Sequence, residues 1–149
     1  MEAELIINLL SRIRHDYGNH LQVIMGYIDL GRPEKARRYV NAVVEQLDEE
    51  RRLFEELPPE AALYFYQQAL LCSELGLILK YRDYCMDSHA VFENGQEPYS
   101  SLKQMAAENA FRLEEEPVVY ADVTARDGKA QVVFSGPALG REVKVLIEE

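Results

Sequence analysis

Apolar residues recur every three or four positions along the first part of the chain, which is the spacing of amphipathic helices. At 100° per residue, one face of the first segment carries Ile6, Leu9, Leu10, Ile13, Tyr17, His20, Leu21, Ile24 and Ile28. The pattern predicts a helix from about residue 3 to residue 30, with Gly31 as its C-terminal cap. A second helix begins at about Pro33 and ends before the Pro58-Pro59 pair. Its apolar stripe consists of Ala36, Val40, Val43, Leu47, Phe54 and Leu57.

The two segments predict an antiparallel helical hairpin over residues 1–58. Two helices that each carry a long apolar stripe cannot bury both stripes against one another. Pairing with a second copy completes a four-helix bundle and removes both stripes from water. We therefore expect the chain to form a homodimer through this first domain.

Shorter elements follow in residues 59–149, and their alternation of helix and antiparallel strand predicts a small α+β domain. Residues 87–98 are polar and turn-rich and are predicted to be a loop. The predicted elements are a helix at about Glu60–Glu74, a strand with alternating Leu77, Leu79 and Tyr81, a helix at about Tyr99–Leu113, a hairpin of Val118–Ala125 and Ala130–Ser135 turned at Asp127-Gly128, and a strand at Val143–Ile147.

Composition excludes several classes of function. The formal net charge is −10, and the acidic excess lies in residues 45–149, whereas residues 1–44 carry six basic and five acidic side chains. An acidic chain of this kind is a poor binder of nucleic acid. No stretch approaches the ~20 apolar residues that cross a bilayer, and no signal peptide opens the sequence. Two isolated cysteines, Cys72 and Cys85, indicate a reducing compartment, so we expect a cytoplasmic protein without a membrane partner.

The candidate chemistry lies in the first helix. His15 projects about 180° away from Ile24, in a stripe that holds small or polar residues. The members of this stripe are Ser11, Gly18, Asn19, Gln22 and Gly26. An exposed imidazole beside two glycines, each costing roughly 1 kcal/mol of helix stability relative to alanine, suits phosphoryl transfer through histidine. The spacing of His15 and His20, five residues and ~140° apart, does not match a metal-binding helical pair.

The segment from His15 to Gly26 reads His-Asp-x-x-Asn-x-Leu-Gln-x-Ile-x-Gly. With the hairpin signals around it, this segment closely resembles the dimerisation and phosphotransfer helices of the sporulation-initiation phosphotransferase B family. Related helices occur in citrate-sensing and quorum-sensing histidine kinases. The resemblance covers roughly residues 5–57. It implies that His15 is phosphorylated, in a phosphorelay between response-regulator receiver domains.

The C-terminal part resembles a degenerate form of the histidine kinase ATPase domain, a small α/β sandwich. Glu108-Asn109-Ala110 would lie on a helix ahead of a β-hairpin, as the magnesium-binding asparagine of that domain does. Where a kinase has Asp-x-Gly-x-Gly for adenine, residues 134–140 read Phe-Ser-Gly-Pro-Ala-Leu-Gly, and no later glycine-rich lid follows. The resemblance therefore implies a protein that does not use ATP, with Asn109 as a structural remnant.

At neutral pH an imidazole presents an unprotonated nitrogen that can attack an aspartyl phosphate. Asn19 lies one turn from His15 and is a candidate to orient the ring or a water molecule. Asp16 lies ~100° around the helix, so we expect a neighbouring side chain or a second protomer to position any contact with His15. The protein would need no cofactor or metal of its own, because the receiver brings Mg²⁺. The candidates for docking the receiver are Arg12, Arg14, Gly18, Gln22 and Gly26.

Two other functions use the same surface. Asn19 would position water if the protein dephosphorylates a receiver, and His15 would then carry no stable phosphate. A dimeric adaptor decayed from a kinase would bind receivers without any transfer. Each candidate residue also has a plain structural interpretation: Asp16, Arg12 and Arg14 as solvated charges, and His20 as a core or interface residue.

Overall fold

The computed structural model describes residues 2–112 and 117–148, which form two compact units, Met1–Arg51 and Arg52–Glu149. The elements in chain order are α1 (Glu2–Asp29), α2 (Pro33–Glu56), α3 (Pro59–Ser73), β1 (Ile78–Met86), α4 (Ala90–Gly95), α5 (Tyr99–Ala107), β2 (Val118–Arg126), β3 (Lys129–Ser135) and β4 (Val143–Glu148).

The first unit is the predicted helical hairpin, and Gly31 ends α1 as expected. Gly31 has φ +69°, in the left-handed region that favours glycine. Its N–H donates to the Ile28 carbonyl at 3.0 Å, and the Arg32 N–H donates to the Tyr27 carbonyl at 2.8 Å. These two bonds are the Schellman pattern, which satisfies the last carbonyls of a helix. The sharp turn between α1 and α2 follows from this cap.

The apolar stripe of α1 remains in contact with water in the single chain. None of the residues in α1 is buried. Leu10 is 48% exposed, Tyr17 is 43% exposed and Leu21 is 61% exposed. A run of large apolar side chains left open on one helix is typical of a surface that another helix covers.

Alanine at two glycines of the hairpin should have opposite effects on stability. Gly31→Ala forces a Cβ into the left-handed region and should lower the free energy of unfolding by about 1–2 kcal/mol. Gly26→Ala should raise it by up to about 1 kcal/mol, because Gly26 lies inside α1 and an added Cβ meets none of the described residues within 4 Å. Urea denaturation of both variants measures the two changes, and a loss of stability at Gly26 would contradict this account.

The second unit is built on a four-stranded sheet in the order β1-β2-β3-β4. β2 and β3 form the predicted hairpin around Asp127 (φ 53°) and Gly128 (φ 75°), and the two left-handed residues match a type I′ turn. β1 pairs with β2 in parallel, so the prediction of antiparallel strands was wrong for this pair. The reason is the connection: α4 and α5 lie between the two strands, and a helical crossover returns the chain in the same direction.

Helices α3, α4 and α5 contribute to one hydrophobic core with alternate residues of the strands. On β2 the core-facing residues are Val119, Ala121, Val123 and Ala125. Phe65 of α3 is fully buried, and its ring lies 5.3 Å from that of Tyr81 and 5.5 Å from that of Phe92. A helical hairpin together with a mixed sheet and its helices confirms the predicted α+β class.

The segment predicted as a loop at residues 87–98 contains the short helix α4. Its residues Val91 and Phe92 are buried, and Phe92 is completely excluded from water. A helix of six residues is too short to show a hydrophobic period, so the sequence pattern did not reveal it. The two apolar side chains hold this helix in the core.

Helix α5 ends at Ala107, earlier than predicted, and Leu113 lies outside the described residues. Asn109 has φ 56°, and its N–H donates to the Ala106 carbonyl at 3.1 Å. The Ala110 N–H donates to the Met105 carbonyl at 3.0 Å. Glu108-Asn109-Ala110 therefore does not lie on a helix, and Asn109 is the left-handed residue of a Schellman cap.

Candidate functional site

His15 lies at the middle of α1 with 76% of its side chain exposed. It lies on the face of α1 opposite the apolar stripe, because His15 and Ile24 are nine residues apart and residues nine apart lie on opposite faces of a helix. An imidazole in this position is open to a large partner.

Two neighbouring side chains approach the same ring nitrogen of His15. The Asn19 side-chain nitrogen Nδ2 lies 3.4 Å from Nδ1, one turn along α1, and donates to this nitrogen when the ring proton is on Nε2. The Asp16 Oδ1 lies 3.9 Å from Nδ1. This distance is too long for a hydrogen bond, so Asp16 meets the ring only through its charge. Both contacts are made at Nδ1.

The contact of Asp16 corrects one expectation. The ~100° separation on the helix was predicted to require another side chain or a second protomer to bring Asp16 to His15. Within one helix the flexible carboxylate already comes within ion-pair distance of the ring. Side chains that are one residue apart on a helix leave the backbone in different directions, but their terminal atoms can still approach one another across the helix surface.

The candidate docking residues are distributed unevenly around His15. Gly18, Gln22 and Gly26 share its stripe, and Gly26 lies roughly 16 Å further along the axis. Arg14 is exposed on one flank of the stripe, and Arg12 is half-buried on the other. A Cβ at Gly18 or Gly26 would meet no described atom within 4 Å outside the local helix backbone, so packing within this chain does not require either glycine.

His20 occupies a different environment, half-buried in the hairpin. Its Nδ1 lies 2.7 Å from the Tyr39 hydroxyl of α2. Its ring also contacts the ring of Tyr17, with centroids 6.4 Å apart in an edge arrangement. This histidine joins α1 to α2, in agreement with its interpretation as a core residue.

A carboxylate on α2 was missed by the sequence analysis. Burial raises the pKa of Glu50 to about 7, and the negative charges of Asp16 and Glu49 contribute to the increase. The Gln46 side-chain amide donates to Glu50 at 3.5 Å, which acts in the opposite direction. In an antiparallel hairpin the late part of α2 lies beside the first half of α1. This alignment is the feature of the sequence that could have indicated the position of Glu50. Glu50 therefore titrates in the neutral range close to Asp16.

Stability of the first unit should fall as the pH rises from about 4.5 to about 7. The pKa of Glu50 is raised in the folded state, so the folded chain holds a proton that the unfolded chain releases over this range. Glu50→Gln should remove this part of the pH dependence and stabilise the hairpin above pH 7. Chemical denaturation at pH 5 and pH 8 measures the difference, with the exposed Glu45→Gln as the matched control. An equal change in the free energy of unfolding between pH 5 and pH 8 for wild type and Glu50→Gln would contradict this assignment.

In the second unit, three residues singled out from the sequence have local contacts that the structure describes. Asn109 is engaged in a helix cap. Gly136 has φ 115°, and a Cβ there would meet the Val118 carbonyl at 3.0 Å. Gly140 lies against the Arg112 guanidinium, 2.8 Å from where its Cβ would be. Backbone conformation and close packing therefore explain Gly136, whereas the neighbour of Gly140 is the movable end of a long side chain.

Among the described residues, the cysteines, the potential metal-ligating side chains and the long helices offer no second candidate functional site. Burial raises the pKa of the Cys72 thiol to about 12, whereas Cys85 is exposed. Within the described part of the chain no three His, Cys, Asp or Glu side chains are grouped to hold a metal ion. Over residues 2–112 and 117–148, no helix has the length and apolar content to cross a bilayer.

Comparison with known proteins relates the helical hairpin to one family. Residues 1–55, just over a third of the chain, match the family of SpoOB-type sensor kinases in its alpha-helical domain. No curated protein matches the chain. The matched segment contains His15, Asp16 and Asn19, and the match relates it to two-component signalling. The N-terminal part of this chain is therefore similar to the SpoOB-type alpha-helical domain of sensor kinases.

Proposed function

We propose that this chain is a phosphohistidine phosphotransferase of a two-component phosphorelay. His15 takes a phosphoryl group from the aspartate of one response-regulator receiver and returns it to the aspartate of another. The observation that carries the proposal is the arrangement around His15: an exposed ring whose Nδ1 is approached by Asp16 and Asn19, which leaves Nε2 as the nitrogen for a partner.

The chemistry follows from this arrangement. The ring reacts as the tautomer with its proton on Nδ1, for which the Asn19 amide turns so that its oxygen rather than its nitrogen faces Nδ1. The lone pair of Nε2 then attacks the phosphorus of the aspartyl phosphate. The bond between phosphorus and the aspartate oxygen breaks, and the aspartate leaves as a carboxylate. The Nδ1 proton stays in place, and the charge of Asp16, at 3.9 Å, stabilises the cationic phosphoimidazole. The return step reverses these events, because phosphoryl transfer depends mainly on positioning and charge stabilisation.

Docking of a receiver requires room beside His15. Gly18 and Gly26 lie on the stripe of His15, and among the described residues outside the local helix backbone no atom packs where their Cβ would be, so their smallness is available to a partner. Gln22 and the exposed Arg14 supply polar contacts at the same surface. The receiver would contribute its acidic pocket and its Mg²⁺, and this chain would contribute no cofactor and bind no ATP.

The working assembly in this proposal is a homodimer. The exposed stripe of α1 supplies the surface, with Ile6 at 55% and Ile28 at 58% exposure marking its two ends. A second hairpin packed on this stripe would complete a four-helix bundle and leave His15 facing solvent on the opposite side of α1. Two phosphorylation sites would then lie on the outside of one bundle.

Transfer of labelled phosphate tests the proposal. The full chain is incubated with a purified receiver domain phosphorylated on its aspartate and, separately, with labelled ATP. The expected result is acid-labile label on the chain from the receiver and none from ATP. Label from ATP would identify a kinase, and no label from either source would contradict phosphotransfer.

A receiver phosphatase is a second candidate, and the contact of Asn19 with His15 favours it. An exposed amide one turn from the histidine can hold a water molecule in line with an aspartyl phosphate. In that case the receiver loses phosphate to water while the chain remains unlabelled. A non-catalytic adaptor would leave the receiver's phosphate lifetime unchanged.

A further inference from the structure

Strand β4 forms one edge of the sheet in the second unit. It pairs with β3 on one side, and in the described part of the chain no other strand pairs with it. The opposite edge, β1, is partly covered: the Arg52 guanidinium donates to the carbonyls of Arg82 at 3.1 Å and Tyr81 at 3.5 Å. An open edge presents backbone N–H and C=O groups that can pair with another strand. β4 is thus the more accessible edge for strand addition.

The side chains of β4 alternate regularly between two environments. Val143, Val145 and Ile147 pack against the core and are half-buried. Lys144, Leu146 and Glu148 are exposed on the other face, and Leu146 is 68% exposed. The outward residues therefore read cation, apolar, anion at equal spacing.

This order is complementary to itself when the strand runs in the opposite direction. In an antiparallel pair centred on Leu146, Lys144 of one copy lies opposite Glu148 of the other, and the same pair occurs a second time by symmetry. The two Leu146 side chains face each other at the centre. Pairing centred on Lys144 or on Glu148 places like charges opposite one another, which is destabilising. Pairing centred on Val145 or Ile147 places Leu146 opposite a charged residue and forms no ion pair, so only the register centred on Leu146 pairs opposite charges within β4.

We propose that β4 pairs antiparallel with β4 of a second copy of this chain, centred on Leu146. The pairing joins two four-stranded sheets into one sheet of eight strands and covers the two exposed leucines. It is a self-association surface separate from the stripe of α1, because it lies entirely in the second unit.

A cleft beside the edge supports this pairing. It is lined by Val91, Asn94 and Gly95 of α4 and by Ile147 and Glu148 of β4. In the proposed register Val145 of the second copy lies opposite Ile147, on the face where this cleft opens. An apolar side chain of the incoming strand would meet the apolar wall formed by Val91 and Ile147.

Disulfide trapping tests the register directly. Residues opposite one another in an antiparallel pair have Cβ atoms about 4.5–5.5 Å apart, near the range of a disulfide. Leu146→Cys, in the full chain with Cys85→Ser to remove the exposed native thiol, should form a covalent dimer under mild oxidation. Lys144→Cys in the same background is the matched control, since two copies of residue 144 would lie about 13 Å apart. We expect at least about tenfold more dimer from Leu146→Cys, and equal yields would overturn the proposal.

Charge reversal provides a second, independent test in the Leu146→Cys chain. Lys144→Glu or Glu148→Lys alone places like charges opposite each other twice and should lower the dimer yield severalfold. Both reversals in one chain should restore it. A mixture of the two single variants should form mainly mixed dimers, because each supplies the charge that the other lacks. If the dimer yield does not change with these charge reversals, the cysteines meet by random collision and the proposed register is refuted.

Discussion

His15→Ala is expected to abolish acquisition of a phosphoryl group from a phosphorylated receiver, with the rate falling on the order of 10³-fold or more. The substitution removes the nitrogen that forms the bond to phosphorus. Because 76% of the His15 side chain is exposed, the free energy of unfolding should change by no more than about 0.5 kcal/mol. Label on the chain, followed after mixing with the receiver, measures the effect.

The other histidine of α1 supplies the matched control. His20→Gln keeps a polar group opposite the Tyr39 hydroxyl and leaves His15 in place, so transfer should persist. Transfer in His15→Ala at the wild-type rate would refute the role of His15 outright. Asn19→Ala then separates the two catalytic proposals. It should slow phosphotransfer moderately while His15 remains, whereas a phosphatase that depends on Asn19 would lose receiver dephosphorylation and tolerate His15→Ala.

Phe65→Ala should destabilise the second unit by about 3–5 kcal/mol. The ring of Phe65 is fully buried and contacts the rings of Tyr64, Tyr81 and Phe92 at centroid distances of 5.1 to 5.5 Å. Its removal leaves a cavity among groups that the backbone holds apart. The Tyr81 hydroxyl also donates to the Phe65 carbonyl at 2.8 Å, so β1 and α3 cannot easily move together to fill the space.

The control for this prediction lies on the same helix. Leu63 of α3 is 47% exposed, and Leu63→Ala should cost less than about 1 kcal/mol. Phe65→Leu keeps most of the apolar volume and should unfold at an intermediate denaturant concentration, which gives a measurable value if Phe65→Ala does not fold. Equal losses at Leu63 and Phe65 would show that the core is not centred where these contacts place it.

If β4 pairs with itself as proposed, the chain has two surfaces for self-association of different character. The stripe of α1 is broad and apolar, whereas the edge of β4 combines backbone pairing with two charge pairs. Salt should weaken the second association more than the first, because exposed charges are screened. Disulfide yield from Leu146→Cys at increasing ionic strength would reveal this difference.

The sequence by itself determined the helical hairpin, its turn and the position of its exposed histidine. A period of 3.6 residues sustained over α1 and α2 leaves little freedom in the element type, and Gly31 ends the first helix because the left-handed backbone there favours glycine. The same wheel places His15 opposite the apolar stripe. The type I′ turn at Asp127-Gly128 was equally local, since it depends on the conformational preferences of two adjacent residues.

Only the tertiary structure decided the features that depend on residues far apart in the chain. The parallel pairing of β1 with β2 arises from the helices between them, and the bulge between Tyr81 and Asp83 changes which side chains of β1 face the core. Burial of Phe92 in the core stabilises the short helix α4. The backbone hydrogen bonds at Asn109 and Ala110 end α5, and no hydrophobic period predicts them. The approach of Asp16 to His15 and the raised pKa of Glu50 likewise depend on side-chain reach and on burial between helices. The spacing of apolar residues specifies which face of each element is apolar, whereas tertiary packing specifies which of these faces contact one another.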